Sequence, residues 1–460
     1  MTRINEVYMG ILKTIILASG ILGLQALGHT QNGKILHLSL QEALDIARDR
    51  SYQVRISNSA VRYAEGQNLE SLSGFLPHVT IAENYIKSND PVTVFSLKLK
   101  QGIFAQPDFN LSTLNSPDAL VNFSTTFQVQ QPVFNLDAIY GKSAASLGVK
   151  AKAASAQRVQ ETVSLQVRKA YFGVILAREN VHAIGEAVQS ARSHRDDARS
   201  AFEEGLTNQA DYLAAEVRLS ELEEQLITAN YQVANASDAL KFVMGLEEDG
   251  LIVLTDSLVS PEPVQPEVNL DDLQTVRSDL RAVALQVRAA SRNLWMKRAS
   301  WVPRLNAFGA VEWNASRAFK KDASNWAVGV QLRWNLFEGF GQFGRSKQAR
   351  AQKEQADVQY RQATERARME ARKAQRAVQA AAARIKVARS AVEQAREALR
   401  IVEARFNQGL EKASDLLDKD VELTQAKLRY LQAKHDYNIA RSELDYASGI
   451  THQKVEGSNR

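Results

Sequence analysis

Cysteine is missing from all 460 residues. Its absence excludes disulfides, thiolate metal sites, cysteine nucleophiles and the lipidated N-terminal cysteine of a bacterial lipoprotein. Proline is scarce, nine in total, with none between Pro132 and Pro261 and none after Pro303. Two long stretches therefore lack the residue that breaks helices. The seven histidines show no metal-ligand spacing, so no metal is expected, and no other cofactor. Past the N-terminus, no apolar run reaches the length of a transmembrane helix without charges. A membrane-embedded form of this chain has to use β-strands. Net charge is +5 with 24% charged residues, ordinary for a folded protein.

What fills the proline-free stretches is a heptad ladder. Val378, Ile385, Val392, Leu399 and Phe406 are seven apart, with Ala381, Ala388, Ala395 and Val402 three residues after the first four. A large/small seam of this kind marks helices packed at close range. The same ladder occurs earlier in Val167, Val174, Val181, Val188 and Phe202, broken once by Arg195. Its small rungs are Ala170, Ala177, Ile184, Ala191 and Ala198. Phe202 and Phe406 each open the same turn, Phe202-Glu-Glu-Gly205-Leu206 and Phe406-Asn-Gln-Gly409-Leu410. A second ladder follows each turn: Tyr212, Leu219, Leu226, Val233 and Leu240, then Leu416, Leu423, Tyr430, Tyr437 and Leu444. The chain reads as a duplicated helical hairpin, with long helices from about Leu136 to Glu204 and from about Phe340 to Gln408.

Each hairpin has an approach of its own. Residues 1–28 have the basic start, apolar core and small-x-small end of an export signal. Ser39-Leu-Gln-Glu42 is a capping box that opens a helix running to about Leu72. Asn269-Leu-Asp-Asp272 is expected to open the matching helix of the second half. Phe75-Leu76-Pro77 and Trp301-Val302-Pro303 end these helices. Alternating strands follow: Val79, Ile81 and Tyr85; Val121, Phe123, Phe127 and Val129; Leu305 to Trp313; and Trp326 to Trp334. The last spans ~26 Å at ~3.3 Å per residue, close to the apolar band of an outer-membrane barrel. Trp313, Trp326 and Trp334 are the expected membrane aromatic girdle. Between the first two strands lies an excursion, about Pro91 to Pro117, read as a loop at the strand tips with some local structure. The domain plan is then a signal peptide over 1–28, repeats over 39–250 and 269–450, a proline-rich linker over 251–268 and a tail over 451–460.

Four strands cannot close a barrel, and open edges in lipid leave backbone groups unpaired at several kcal/mol each. Strands that enter a membrane here must be shared among several chains. The helices of those chains then ring the same axis. The fold class expected is mostly α with a membrane β-barrel, and it points at a conduit.

The residues that mark the repeats resemble the TolC family of outer-membrane efflux proteins. They are Ser39-Leu-Gln-Glu-Ala-Leu44, Phe75-Leu-Pro77, Gln131-Pro-Val-Phe134, Phe202-x-x-Gly205, Asn335-Leu-Phe-Glu-Gly339, and Phe406-Asn-Gln-Gly409 leading to Asp415-Leu-Leu-Asp418. The resemblance implies a homotrimer with a shared twelve-stranded barrel in outer-membrane lipid and a long α-helical barrel in the periplasm. It also implies a periplasmic adaptor and an inner-membrane pump as partners, and no catalysis. It places a gate at Asp415 and Asp418, with Asp211 as the one acid kept in the first repeat. The hairpin tips, Phe202, Gly205, Leu206, Phe406, Gly409 and Leu410, become the adaptor-docking end. The family's closing tyrosine and arginine fall at Phe406 and Glu411, so that lock is not carried over; Lys412 is an adjacent substitute.

Each of these residues also has a plainer reading. Asp415 and Asp418 are acids in a first turn, where the helix dipole favours them. The glycines close helices in the left-handed conformation. Gly339-Phe-Gly341-Gln-Phe-Gly344 is a literal dinucleotide fingerprint, but it follows an alternating strand and opens a helix several times too long. Residues 345–405 hold sixteen Lys/Arg against seven Asp/Glu, interleaved with the seam. That pattern is a solvated or pore-lining face, and no nucleic-acid partner is expected. The competing readings are a soluble exported coiled-coil scaffold without a pore and a dinucleotide-binding enzyme.

Overall fold

The computed structural model describes residues 36–205, 207–247, 250–258, 269–408 and 410–450. The signal segment 1–28, Leu206, Gly409, the three linker prolines and the tail 451–460 lie outside them. The chain divides into two compact units. The small one, from 1–37 with 248–253, is held among its described residues by the Leu36 N–H donating to the Leu251 carbonyl at 2.8 Å. All that follows concerns the large one.

Helix α1 (Leu40–Arg50) begins at the expected capping box: Ser39 Oγ accepts from the Glu42 N–H, and Glu42 accepts from the Ser39 N–H at 2.8 Å. The helix does not run on to Leu72. It breaks at Ser51 and restarts as α2 (Tyr52–Glu70). The second half does the same more abruptly. Asn269–Asp272 opens only a single turn, Leu273–Val276, before a break at Arg277 and the main helix α6 (Ser278–Ala299). The cause is tertiary. Gly245, left-handed at φ +73°, presses on the first break so closely that a Cβ there would lie 2.4 Å from the Arg50 carbonyl oxygen. Gly449, at φ +72°, sits on Val276 and Arg277 in the same way. In both repeats the glycine that ends the last helix wedges into the kink of the first.

The long helices follow the ladders. α4 (Leu136–Glu203) has 68 residues and α7 (Gly341–Phe406) has 66, each ~100 Å long at ~1.5 Å per residue. α5 (Gln209–Met244) and α8 (Ala413–Ser448) return along them. The buried seam is the expected one. Val378, Ala381 and Ile385 pack with Ala433, Tyr437, Ala440 and Leu444. In the first repeat Ile184, Val188 and Ala191 pack with Leu219, Leu222 and Ala229. The alanines let the helices close up, and the larger rungs exclude water along the gap. α5 packs on α4, α4 on α8, and α8 on α7.

The four strands form one antiparallel sheet in the order β1 (His78–Ser88), β2 (Leu120–Phe134), β3 (Arg304–Ala315), β4 (Ala323–Arg333). The register puts Val79, Val129, Gly309 and Val328 in one row, and Ile81, Phe127, Val311 and Trp326 in the next. The face they share is apolar. The opposite face carries rows such as Thr80, Gln128 and Ala310, and Asn306 with Gln331. Phe308 is the aromatic exception there, and it lies over Gly329, where a Cβ would meet its ring at 2.8 Å. The excursion connects the strand tips and has local structure, as expected, more of it than a loop needs. It is helix α3 (Pro91–Gln101), a 3₁₀ turn over Gln106–Phe109 and a short turn over Leu111–Asn115.

Candidate functional site

The residues singled out in the sequence fall into two places, the helical hairpin tips and the sheet. At the first tip α4 ends in Gly205, left-handed at φ +75°. Phe202 stacks on Tyr212 across the turn, rings 6.1 Å apart and nearly parallel. Asn208 caps α5, and Asp211 is drawn into the cap: its N–H donates to Asn208 Oδ1 at 2.9 Å and its carboxylate accepts from Thr207 Oγ1 at 2.8 Å. At the second tip the Leu410 N–H donates to the Arg405 carbonyl at 2.9 Å, and Leu410 is exposed. Phe406 is half-buried. Asp415 and Asp418 lie on the first turns of α8, both exposed, and the Lys419 ammonium acts on both from the same turns while its hydrogen bond goes to Glu422. Asp211 and Asp415 are thus equivalent in sequence but not in state: one is tied up in a cap, the other is open.

Two features of this end were not read from the sequence. Glu411 pairs with Arg405 at 3.1 Å and so braces its own turn. Lys412 only precedes the helix and has no acid partner among the described residues. Asp420 is 6% exposed, with Ser190 Oγ of α4 donating to it at 3.4 Å and His194 Nε2 3.3 Å from that hydroxyl. A signal for it existed, because Asp420 lies between Leu416 and Leu423 on the apolar face of the ladder. Burial raises its carboxyl above the ordinary aspartate value, opposed by the nearby charges of His194 and Arg218. Between the ordinary and the raised value the folded chain binds the extra proton, so stability falls as pH rises through that window and stays lower above it. Asp420→Asn is expected to raise the melting midpoint by about 2 °C at pH 8 and leave it unchanged at pH 4. Circular dichroism melts at the two pH values check this; equal shifts at both would show that the buried charge is not the cause.

In the sheet, Trp313 pairs with Ser324 and Trp326 with Val311, so both tryptophans lie near one end of the apolar face. Trp334 lies one residue beyond β4 at the other end, its Nε1 donating to the Trp301 carbonyl at 3.0 Å. Trp326 and Trp334 are exposed; Trp313 is half-buried under Lys321, whose Nζ is 4.8 Å from the ring centre. The excursion is anchored to the polar face. Gln101 Nε2 donates to Asn122 Oδ1 at 2.9 Å, and Asn122 Nδ2 donates to Asn314 Oδ1 at 2.8 Å; all three are buried. Lys100 reaches Glu312 at 3.3 Å.

The glycine triplet straddles the joint between β4 and α7. Gly339 and Phe340 are both left-handed, at φ +54° and +63°. The preceding strand belongs to an antiparallel sheet, whereas a dinucleotide site needs a parallel βαβ unit. No group of His, Cys, Asp or Glu among the described residues could hold a metal ion. No helix among them is long and apolar enough to cross a membrane.

Comparisons with known proteins fit this geometry. The outer membrane protein TolC of Vibrio cholerae is 24% identical over 321 residues, which cover 67% of this chain and 73% of that one. Among solved structures, a membrane protein from Pseudomonas aeruginosa superposes with a TM-score of 0.77 at 17% identity, over 89% of this chain and 93% of the other. The CmeC outer membrane channel of Campylobacter jejuni superposes with a TM-score of 0.76 at 16% identity, over 89% and 85%. The sequence pattern of one family, outer membrane efflux protein, matches residues 43–246 and 269–449, both repeats almost whole. The chain belongs to the outer membrane efflux protein family, and it is an exit duct of the outer membrane.

Proposed function

We propose that three copies of the chain close one duct, with its entrance at the helical tips and its exit through the sheet. The observation that carries this is that both layers end in open, apolar edges. β1 and β4 are the outer strands of the sheet and have no further strand partner among the described residues. In the row of the two hairpins, α5 and α7 stand at the two ends; nearer the sheet α6 packs on α4 and on α7. α5 exposes Leu213, Val217, Ile227, Tyr231 and Phe242, within about 80° of one another at 100° per residue. α7 exposes Val358, Met369, Val387 and Ile401, within about 40°. Each stripe lies opposite the face that its helix buries in its own hairpin. A helix buried on two opposite sides is a stave in a ring. Twelve strands suffice for a barrel where four do not. The apolar face of the sheet then meets lipid and the polar face lines the passage.

In this arrangement Asp415 and Asp418 form negative rings at the entrance. The tips, exposed at Phe202, Gly205 and Leu410, are the surface offered to a periplasmic adaptor that couples the duct to an inner-membrane pump, and the sequence assigns Leu206, Phe406 and Gly409 to the same two turns. No step is catalytic; transport is passive and gated. Planar-bilayer recording on protein sized in detergent tests this. The wild type is expected to be a trimer with a small, cation-preferring conductance. Asp415→Ala with Asp418→Ala is expected to raise that conductance about twofold and weaken block by a trivalent cation about tenfold. A trimeric channel whose conductance and block ignore both substitutions would remove the gate from these residues; a monomer without conductance would remove the duct.

A further inference from the structure

The joint between the sheet and α7 holds a cation-rich cavity that passage through a polar duct does not require. Arg304 and Arg333 end β3 and β4 on the polar face and stand directly opposite each other in the register. Like charges across one rung destabilise a sheet. Arg304 is relieved by an ion pair with Asp137. Among the described residues Arg333 finds no acid; its Nη2 reaches Gln331 Oε1 at 3.4 Å. A cavity of about 310 Å³ opens on this pair, lined also by Lys297, Arg345, Asp137 and Glu338. Four cations thus face two carboxylates. Glu338 is already engaged: hydrogen bonds from Arg345 first, then Asn335, hold its carboxyl below the usual range. Gln342, 3% exposed, lines the same cavity, and its amide makes only long contacts, 3.4 Å to the Asn335 carbonyl and 3.5 Å to that of Ser300. α7 starts at Gly341, so the positive end of a 66-residue helix opens there as well.

We propose that this cavity binds a phosphate-type oxyanion, and that Arg304, Arg333 and Lys297 make the duct wall a station for anionic cargo. The place of the site along a passage rests on the duct reading; the site itself does not. In the trimer it repeats three times around the axis, a basic collar of the kind that selects anions, some distance beyond the acidic entrance. Arg333 supplies the charge with no partner of its own. Arg304 supplies the charge that Asp137 half neutralises. The Gln342 amide is placed to donate to an oxygen of the bound group. An oxyanion over the rung offsets the repulsion between the two arginines, which accounts for their being opposite each other.

The probe is inorganic tripolyphosphate, added to the full chain purified in detergent. Isothermal titration calorimetry is expected to show binding that weakens about tenfold in Arg304→Gln with Arg333→Gln. Arg333→Lys, which keeps the charge, is expected to bind nearly as the wild type does. The double variant loses the Arg304–Asp137 ion pair as well as the like-charge rung, and melting midpoints within a few degrees of the wild type check that the sheet stays folded; Arg333→Gln alone keeps that pair, and Lys297→Gln, off the strands, gives a smaller loss of binding. In bilayers, tripolyphosphate is expected to reduce the wild-type conductance and to leave the double variant unaffected. A wild type that does not bind, or a double variant that binds equally well, overturns the proposal while a conducting channel keeps the duct. Binding lost in the double variant, from a wild type that conducts nothing, upholds the site and overturns the duct.

Discussion

Ile227→Asp, or separately Val387→Asp, is expected to convert the trimer into monomers and abolish conductance. Ile227 is 72% exposed on α5 and Val387 71% exposed on α7, at the two open ends of the helical row. In a single protomer neither side chain buries much, so neither substitution threatens the hairpin: Leu219, Leu222 and Ala229 fill the α5 seam from the other side. In the ring each would place a carboxylate in an apolar seam, at a cost of several kcal/mol per copy without a compensating partner. A closed ring contains three such seams, and the penalty recurs in each. Size-exclusion chromatography with light scattering measures the outcome directly, and circular dichroism shows whether the helices persist. Arg396→Asp is a control on the same helix: it lies outside the apolar stripe, and it is expected to leave the trimer intact. If the two stripe variants stay trimeric, α5 and α7 do not meet, and the helical layer closes through another face.

Most of this architecture was legible because it repeats at fixed periods. The rungs from Val167 to Phe202 and from Val378 to Phe406 gave the far ends of both long helices and their partners, since a heptad seam reports the helix and its partner together, and the strand-to-helix joints at Asn135-Leu136 and near Glu338, with no proline in either stretch that follows, gave the starts. The strands were legible for the same reason: the alternation expected from Trp326 to Trp334 falls on β4, which begins three residues earlier, at Ala323, and ends one earlier, at Arg333. The kinks at Ser51 and Arg277 were not. No proline or glycine stands at either, and the wedge that makes each comes from a glycine about 170 to 200 residues away. The anchoring of the excursion was hidden in the same way. Gln101, Asn122 and Asn314 are ordinary loop and strand residues until the register brings them together. Distant pairing also hid the buried charges. Arg277 reads as a surface arginine in sequence, because nothing near it announces Glu370 or the end of α8. The apolar stripes on α5 and α7 were present in the sequence but out of phase with the ladder, and a single-phase reading assigns them to nothing.

Arg277→Met is expected to be the most destabilising substitution in the protomer outside the seams, by about 3 kcal/mol. Arg277 is 3% exposed at the break before α6. Its Nη2 donates to Asp279 at 2.7 Å and Glu370 at 2.9 Å, its Nε to Asp279 at 3.1 Å, and its Nη1 to the Ala447 carbonyl at 3.1 Å. One side chain thereby ties the opening helix of the second repeat to α7 and to the end of α8. The first repeat joins through Arg158, which lies 3.5 Å over the Tyr446 ring and pairs with Glu161 at 3.0 Å, while Glu161 accepts from Ser278. Methionine replaces the aliphatic stem only as far as about Nε, so the loss combines the charge and its hydrogen bonds with the small volume of the guanidinium group, and the pH dependence separates the two. The estimate takes the low end of the range for a broken buried pair, because Asp279 and Glu370 keep about a third of their surface in water. The pH dependence identifies the cause. Burial alone would raise the Asp279 carboxyl; the hydrogen bonds from Arg277 and the nearby Arg158 outweigh it and hold the value below that of a free aspartate. A lowered folded value means that the stabilisation is complete above the ordinary carboxylate range and disappears as pH falls through the lowered one. The variant is therefore expected to melt well below the wild type at pH 7 and to converge on it at strongly acidic pH. Arg277→Lys keeps the charge but cannot reach three acceptors at once, and is expected to fall between them. A methionine variant as stable as the wild type at pH 7 would mean that packing of Gly449 against the kink, rather than the arginine, holds the second repeat together.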